Sequence, residues 1–139
     1  MGKKRNIKRL RAQKDNSSEI KMSALIIEYA SDYIKLGDTL EEKQSYLNAA
    51  CSAWNIALLK KGERQKALDN FIEHYKKLNP DADDVDMDNA RHDMELLIKE
   101  KIRLYPNVKR TIAGAEITND KGKERIVVAS INPRVKRNS

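Results

Sequence analysis

Cysteine occurs once in this chain of 139 residues, proline three times, glycine five times, and aromatic residues make up 5%. A lone Cys51 closes no internal disulfide, and His74 and His92 stand at no short spacing from it, whereas a structural zinc site takes about four such ligands. Five glycines leave no phosphate-binding loop and no dinucleotide fingerprint, and Gly-x-Ser-x-Gly is absent. The uncharged run from Gln44 to Leu59 has 16 residues and includes Gln, Ser and Asn, too short and too polar for a span that needs about 20 apolar residues. Asn6 stands where an N-myristoylation signal wants Ser or Thr, so membrane attachment is not expected. No apolar leader precedes a small-residue cleavage site, and a reducing, cytoplasmic setting is the expectation.

What is abundant is charge, at 35% of residues against 40% apolar. That balance suits a helical domain with solvated faces, and a chain of this length buries roughly two thirds of its unfolded surface without metal or disulfide help. Lys3, Lys4, Arg5, Lys8, Arg9, Arg11 and Lys14 meet no acid within residues 1–14, and Arg134, Lys136 and Arg137 add to them at the other end, a total of +10. Residues 15–132 sum to −3. Residues 1–16 and 133–139 are therefore expected to be disordered basic tails around a single domain at 17–132.

The periodicity predicts an α+β fold, mainly α. A first helix over 17–36, capped by Ser17 or Ser18, carries Met22, Leu25, Ile26, Tyr29, Tyr33 and Leu36 at three-and-four spacing. Thr39 with Glu42 is a capping box that opens a second helix over 39–61, ended by Gly62. On that helix Leu47, Cys51, Trp54 and Leu58 share one arc while Ile56 lies opposite, which marks a central helix contacted from several sides. Helices over 63–79 (Leu68, Phe71, Ile72, Tyr75, Leu78 inward) and 86–105 (Met94, Leu97, Ile98 inward) follow, each stopped by a proline. The β-branched segments 110–118 and 123–131 around Asn-Asp-Lys-Gly predict an antiparallel hairpin, with Thr118 opposite Lys123, Glu116 opposite Arg125 and Gly114 opposite Val127. Leu47, Cys51, Trp54, Leu58, Phe71 and Leu97 are the expected core.

Four features invite chemistry. Asp84, Asp86, Asp88 and Glu95 fall at the first, third, fifth and twelfth places of a calcium loop, but Asn89 replaces its glycine, and acids also gather at helix N-termini for the macrodipole. Asn48 and Asn55 share an edge of the second helix, as partners for a neighbouring helix or facing a ligand. Lys101 interrupts an apolar stripe, either snorkelling to water or serving as a pocketed amine. The ten basic residues of the two ends are candidate phosphate contacts, although no aromatic residue accompanies them for stacking on bases, and Lys109, Arg110, Lys121, Lys123 and Arg125 near the hairpin form a second basic set.

The stretch Ala53, Trp54, Asn55, Leu58, Leu59, followed by Glu63 and Arg64, resembles small uncharacterised bacterial proteins with an Ala-Trp-Asn helix and a C-terminal β-hairpin. That resemblance covers residues 22–131 at most and implies a fold, with no activity attached. No catalytic constellation, metal site or cofactor is expected. The expected function is a non-enzymatic interaction protein that binds a protein partner or itself through helix faces or the hairpin edge; the alternative is a nucleic-acid-associated accessory protein that contacts phosphates through its basic termini.

Overall fold

A computed structural model describes residues 16–131, with side chains from Lys21 onward. Among the described residues it contains four helices, α1 (Asn16–Ile34), α2 (Leu40–Ala57), α3 (Lys61–Leu78) and α4 (Asp84–Leu104), then strands β1 (Thr111–Asp120) and β2 (Lys123–Ile131). The mainly helical α+β architecture is the one the periodicity predicts. Helix α1 already includes Ser17 and Ser18, so neither is its cap. The capping box at α2 is present: Glu42 N–H donates to Thr39 Oγ1 at 3.1 Å, and Glu42 Oε1 accepts from the Thr39 N–H. Gly37, in the turn before it, is required by close approach, since a Cβ there would lie 2.8 Å from the Lys43 nitrogen.

Helix α2 stops four residues early, at Ala57. Its last turn tightens into bonds from Leu58 N–H to Asn55 O and from Leu59 N–H to Ile56 O. Arg64 then donates to the Leu59 carbonyl at 3.1 Å. Gly62 consequently sits in the first turn of α3 rather than ending α2. Helix α4 begins two residues before the expected point because Asp83 and Asp86 form a second reciprocal capping box.

The helices run up and down. Tyr29 meets Leu97, Glu28 meets Tyr105, and Tyr33 interacts with Asp93, so α1 is antiparallel to α4. The ring contact between Trp54 and Tyr105 sets α2 parallel to α4, and the Asp69–Arg91 ion pair at 2.9 Å joins α3 to it. Helix α2 is the central one, packed by α1, α3, α4 and β1. Leu47, Cys51, Trp54 and Leu97 are buried as expected, and Trp54 and Leu47 are completely so. Leu58 and Phe71 are half-buried at the margin of the core. Leu36 and Leu78, assigned to inward stripes, are exposed because each lies at or past the last turn of its helix.

The hairpin differs from the expected register by two residues. Asp120 pairs with Lys123, Thr118 with Arg125, Glu116 with Val127 and Gly114 with Ala129. Only Lys121 and Gly122 form the turn, both at positive φ (53° and 83°), which matches the twist of a tight two-residue hairpin. The Glu116–Arg125 pairing is thereby lost. Ala113 is the extra residue of a bulge between Ile112 and Gly114, and beyond it Ile112 returns to the face that Ile117 and Val128 bury against the helices.

Candidate functional site

A two-stranded hairpin has two free edges, and their backbone groups need partners. Asn55 supplies them on β1: its Nδ2 donates to Ile112 O at 2.9 Å and its Oδ1 accepts from Ile112 N–H at 2.8 Å. Three turns earlier on the same face of α2, Gln44 donates to Ala115 O at 3.0 Å and accepts from Ile117 N–H at 2.8 Å. Gln44 also donates to Asn48 Oδ1, which braces it. On the other edge Ser23 Oγ accepts from Val128 N–H at 3.2 Å. Asn55 thus serves a strand rather than a neighbouring helix. Gln44 was not singled out from the sequence, although three amides at 44, 48 and 55 on one edge of the uncharged run from Gln44 to Leu59 were its signal.

Lys101 is 3% exposed and neither snorkels nor lines a pocket. Its Nζ turns back on the end of its own helix, donating to Tyr105 O at 2.6 Å and Val108 O at 2.7 Å, and lies 4.6 Å from the centre of the Trp54 ring. Burial, with a contribution from Lys109, lowers its pKa to about 8; the two carbonyls and the ring face favour the ammonium and oppose that shift. Trp54 Nε1–H in turn donates to Arg110 O at 3.0 Å. Tyr29 packs edge-on against Trp54 and donates to Leu97 O at 2.8 Å, and Tyr105 donates to Glu28 at 2.7 Å. Desolvation raises the pKa of both tyrosines. These bonds fasten the 105–110 connection to the bundle, and every polar tip in the cluster is occupied.

The remaining sequence candidates do not converge. Asp84, Asp86, Asp88 and Glu95 all lie within α4, and Asp86 is spent on the capping box. On the helix Asp86 projects from the side opposite Asp84 and Asp88, and Glu95 lies about two turns, ~10 Å, beyond Asp88, so these four carboxylates do not close into a chelating loop. Among the described residues no group of three or more His, Cys, Asp or Glu is placed to hold a metal ion. Cys51 is buried and its thiol is pushed up to about 12 by desolvation, which leaves it protonated and inert as a nucleophile. His74 and His92 are both exposed. Lys3, Lys4, Arg5, Lys8, Arg9, Arg11, Lys14, Arg134, Lys136 and Arg137 lie outside the described residues.

The up-and-down path sorts charge in a way the linear sum hides. One end of the bundle gathers the α2–α3 connection and the exit of α4, residues 58–66 and 99–110, with nine cations against two carboxylates. Arg64 and Lys99 line one open cleft of about 240 Å³ there. Lys101 is the buried member of the nine; Lys60, Lys61, Lys66, Lys99, Arg103 and Lys109 are exposed. Asn16 opens α1 on this side, and Ile131, opposite Thr111, closes β2 there, so both basic flanking segments attach at the basic end. The opposite end, residues 32–43 and 73–88, carries ten carboxylates against four lysines. Tyr33, Tyr46, Tyr75 and Asp93 converge beneath it, one from each helix, and burial with the nearby Asp93 carboxylate raises the Tyr33 pKa.

No protein-family model, curated protein or solved structure matches this chain.

Proposed function

We propose that this is a non-enzymatic binding protein whose basic end, together with the two basic segments attached to it, engages nucleic-acid phosphates. The observation that supports this reading is the placement of nine cations and two carboxylates at the end of the bundle from which the +10 flanking segments extend. Clustered like charge raises the local potential, and binding to a polyanion releases its condensed counterions. Of the protein-docking routes expected from the sequence, helix faces or the hairpin edge, the outer edge of β1 is taken by Asn55 and Gln44 at Ile112, Ala115 and Ile117. With no groove-reading helix motif, the contacts are to the backbone and independent of base sequence.

Fluorescence anisotropy with a duplex over a salt series tests this. If about half of the ten flanking and eight unburied end cations make contacts, the logarithmic salt slope is roughly −8. Removing residues 1–14 and 133–139 weakens binding and flattens the slope but leaves a remainder, which Lys60→Glu with Lys66→Glu and Arg103→Glu then abolishes. Absence of binding by the intact chain at low salt overturns the proposal.

A further inference from the structure

We propose that the acidic end of the bundle docks residues 3–14 of a second copy of this chain, so that copies associate head to tail. This goes beyond phosphate binding and uses the opposite surface. Leu78, Val85 and Leu36 are 68%, 65% and 62% exposed, and Leu40 is also exposed; Leu78 and Val85 flank the α3–α4 connection, and Leu36 and Leu40 stand at the α1–α2 connection on the same end of the bundle. An open cleft of about 500 Å³ lies among Tyr75, Leu78, Pro80, Ala82 and Asp86. Leu78 is thus an exposed apolar side chain at a cleft also lined by Asp81 and Asp86, the combination of apolar contact and one-signed charge on which a complementary partner docks.

The rim specifies the charge of the occupant. Of its four lysines, Lys76 is held by the Pro80 and Ala82 carbonyls, Lys43 by Glu124 at 2.9 Å, and Lys77 lies 4.0 Å from Glu73. Asp81 and Asp86 line the cleft and are exposed, and Asp84 and Asp88 add exposed carboxylates at the same end of the bundle. The fitting partner is a basic segment with a short apolar edge. Residues 3–14 of this chain hold seven cations and no acid, with Ile7 and Leu10 three apart.

Reach decides which copy supplies it. Helix α1 has 19 residues, about 28 Å of rise, between its start and the acidic end. Leu10 is six residues before Asn16 and spans at most about 21 Å, and Ile7 about 31 Å. A chain cannot seat both of its own apolar residues in its own cleft, whereas a second copy has no such restriction. Donor segment and acceptor cleft are different surfaces, so the contact is heterologous and repeats from copy to copy. Because the donor segment is also basic end material, duplex competes for it.

Sedimentation velocity of the full chain from micromolar to millimolar concentration provides the test. The weight-average sedimentation coefficient is expected to rise with concentration at low salt and to return to the monomer value in molar salt. Deletion of residues 1–14 abolishes the rise, as does Leu78→Lys with Val85→Lys, two exposed positions where melting temperature stays unchanged. Each variant keeps one half of the contact, so an equimolar mixture of the two forms a heterodimer and nothing larger. Monomer at every concentration at low salt, association that survives in either variant, or a mixture that stays monomeric overturns the proposal. Duplex affinity of the Leu78→Lys, Val85→Lys variant is read separately, so failure of phosphate binding and failure of docking are distinguishable.

Discussion

The Asn55 carboxamide bonds both backbone groups of Ile112, donating to its oxygen at 2.9 Å and accepting from its nitrogen at 2.8 Å. A side chain on the central helix thereby takes the place of a third strand. A hairpin alone is marginal in water, and this one is held along the outer edge of β1 by Asn55 and Gln44 and through Ile112, Ile117 and Val128 on its inner face.

Asn55→Ala leaves two backbone groups without partners, at a cost of about 1–3 kcal/mol each. Urea denaturation should show the loss, and hydrogen exchange at the Ile112 amide should accelerate more than at amides of α3. Gln44→Ala should do the same at Ile117. Unchanged Ile112 exchange in Asn55→Ala would mean that the amide contact contributes nothing.

Trp54 is fully buried with its N–H bonded to Arg110 O. Its emission should be blue-shifted and poorly quenched by iodide, and Trp54→Ala should cost about 3–5 kcal/mol. A red-shifted, freely quenched signal would contradict this packing.

Lys101 gives stability a pH dependence of definite sign. Below pH 8 both folded and unfolded chains carry its proton; between the lowered value of about 8 and the ordinary 10.5 the folded chain releases it first, so this group adds stability as pH rises. Cys51 acts oppositely from about pH 9 upward, since its thiol stays protonated in the fold while the unfolded thiol ionises, and the buried tyrosines follow from about 10. Chemical denaturation of wild type and Lys101→Met as a function of pH isolates the lysine: the wild-type advantage should grow between pH 8 and 10.5, by less than about 3 kcal/mol because the carbonyls and Trp54 favour the cation. A difference that shrinks with pH would mean that those contacts outweigh desolvation.

Millimolar calcium should leave the melting temperature and amide shifts unchanged, because α4 holds Asp86 on the side opposite Asp84 and Asp88 and sets Glu95 about two turns, ~10 Å, further along its axis. A site filled at a hundred times its dissociation constant adds about 2.7 kcal/mol, an effect visible on heating. Such a shift, lost in Asp84→Asn with Asp86→Asn, would show that the helix start rearranges to bind the ion.

The sequence by itself determined the number and order of the elements, because periodicity, the Thr39 capping box and the prolines act within a few residues. It marked α2 as central, since Leu47, Cys51, Trp54 and Leu58 share one arc and Ile56 lies on the opposite side. Hairpin register was not decided locally. Asn119, Asp120, Lys121 and Gly122 all suit a turn, and the choice between turns two residues apart fell to which faces Ile112, Ile117 and Val128 bury and which amides Gln44 and Asn55 meet. The destinations of Lys101 and Asn55 were likewise settled by backbone atoms four to 57 residues away. Charge shows the distinction most plainly. Residues 15–132 sum to −3, and that sum carries no position; the reversal of chain direction at each connection places 58–66 beside 99–110 and 32–43 beside 73–88, so only the tertiary structure separates a basic end from an acidic one.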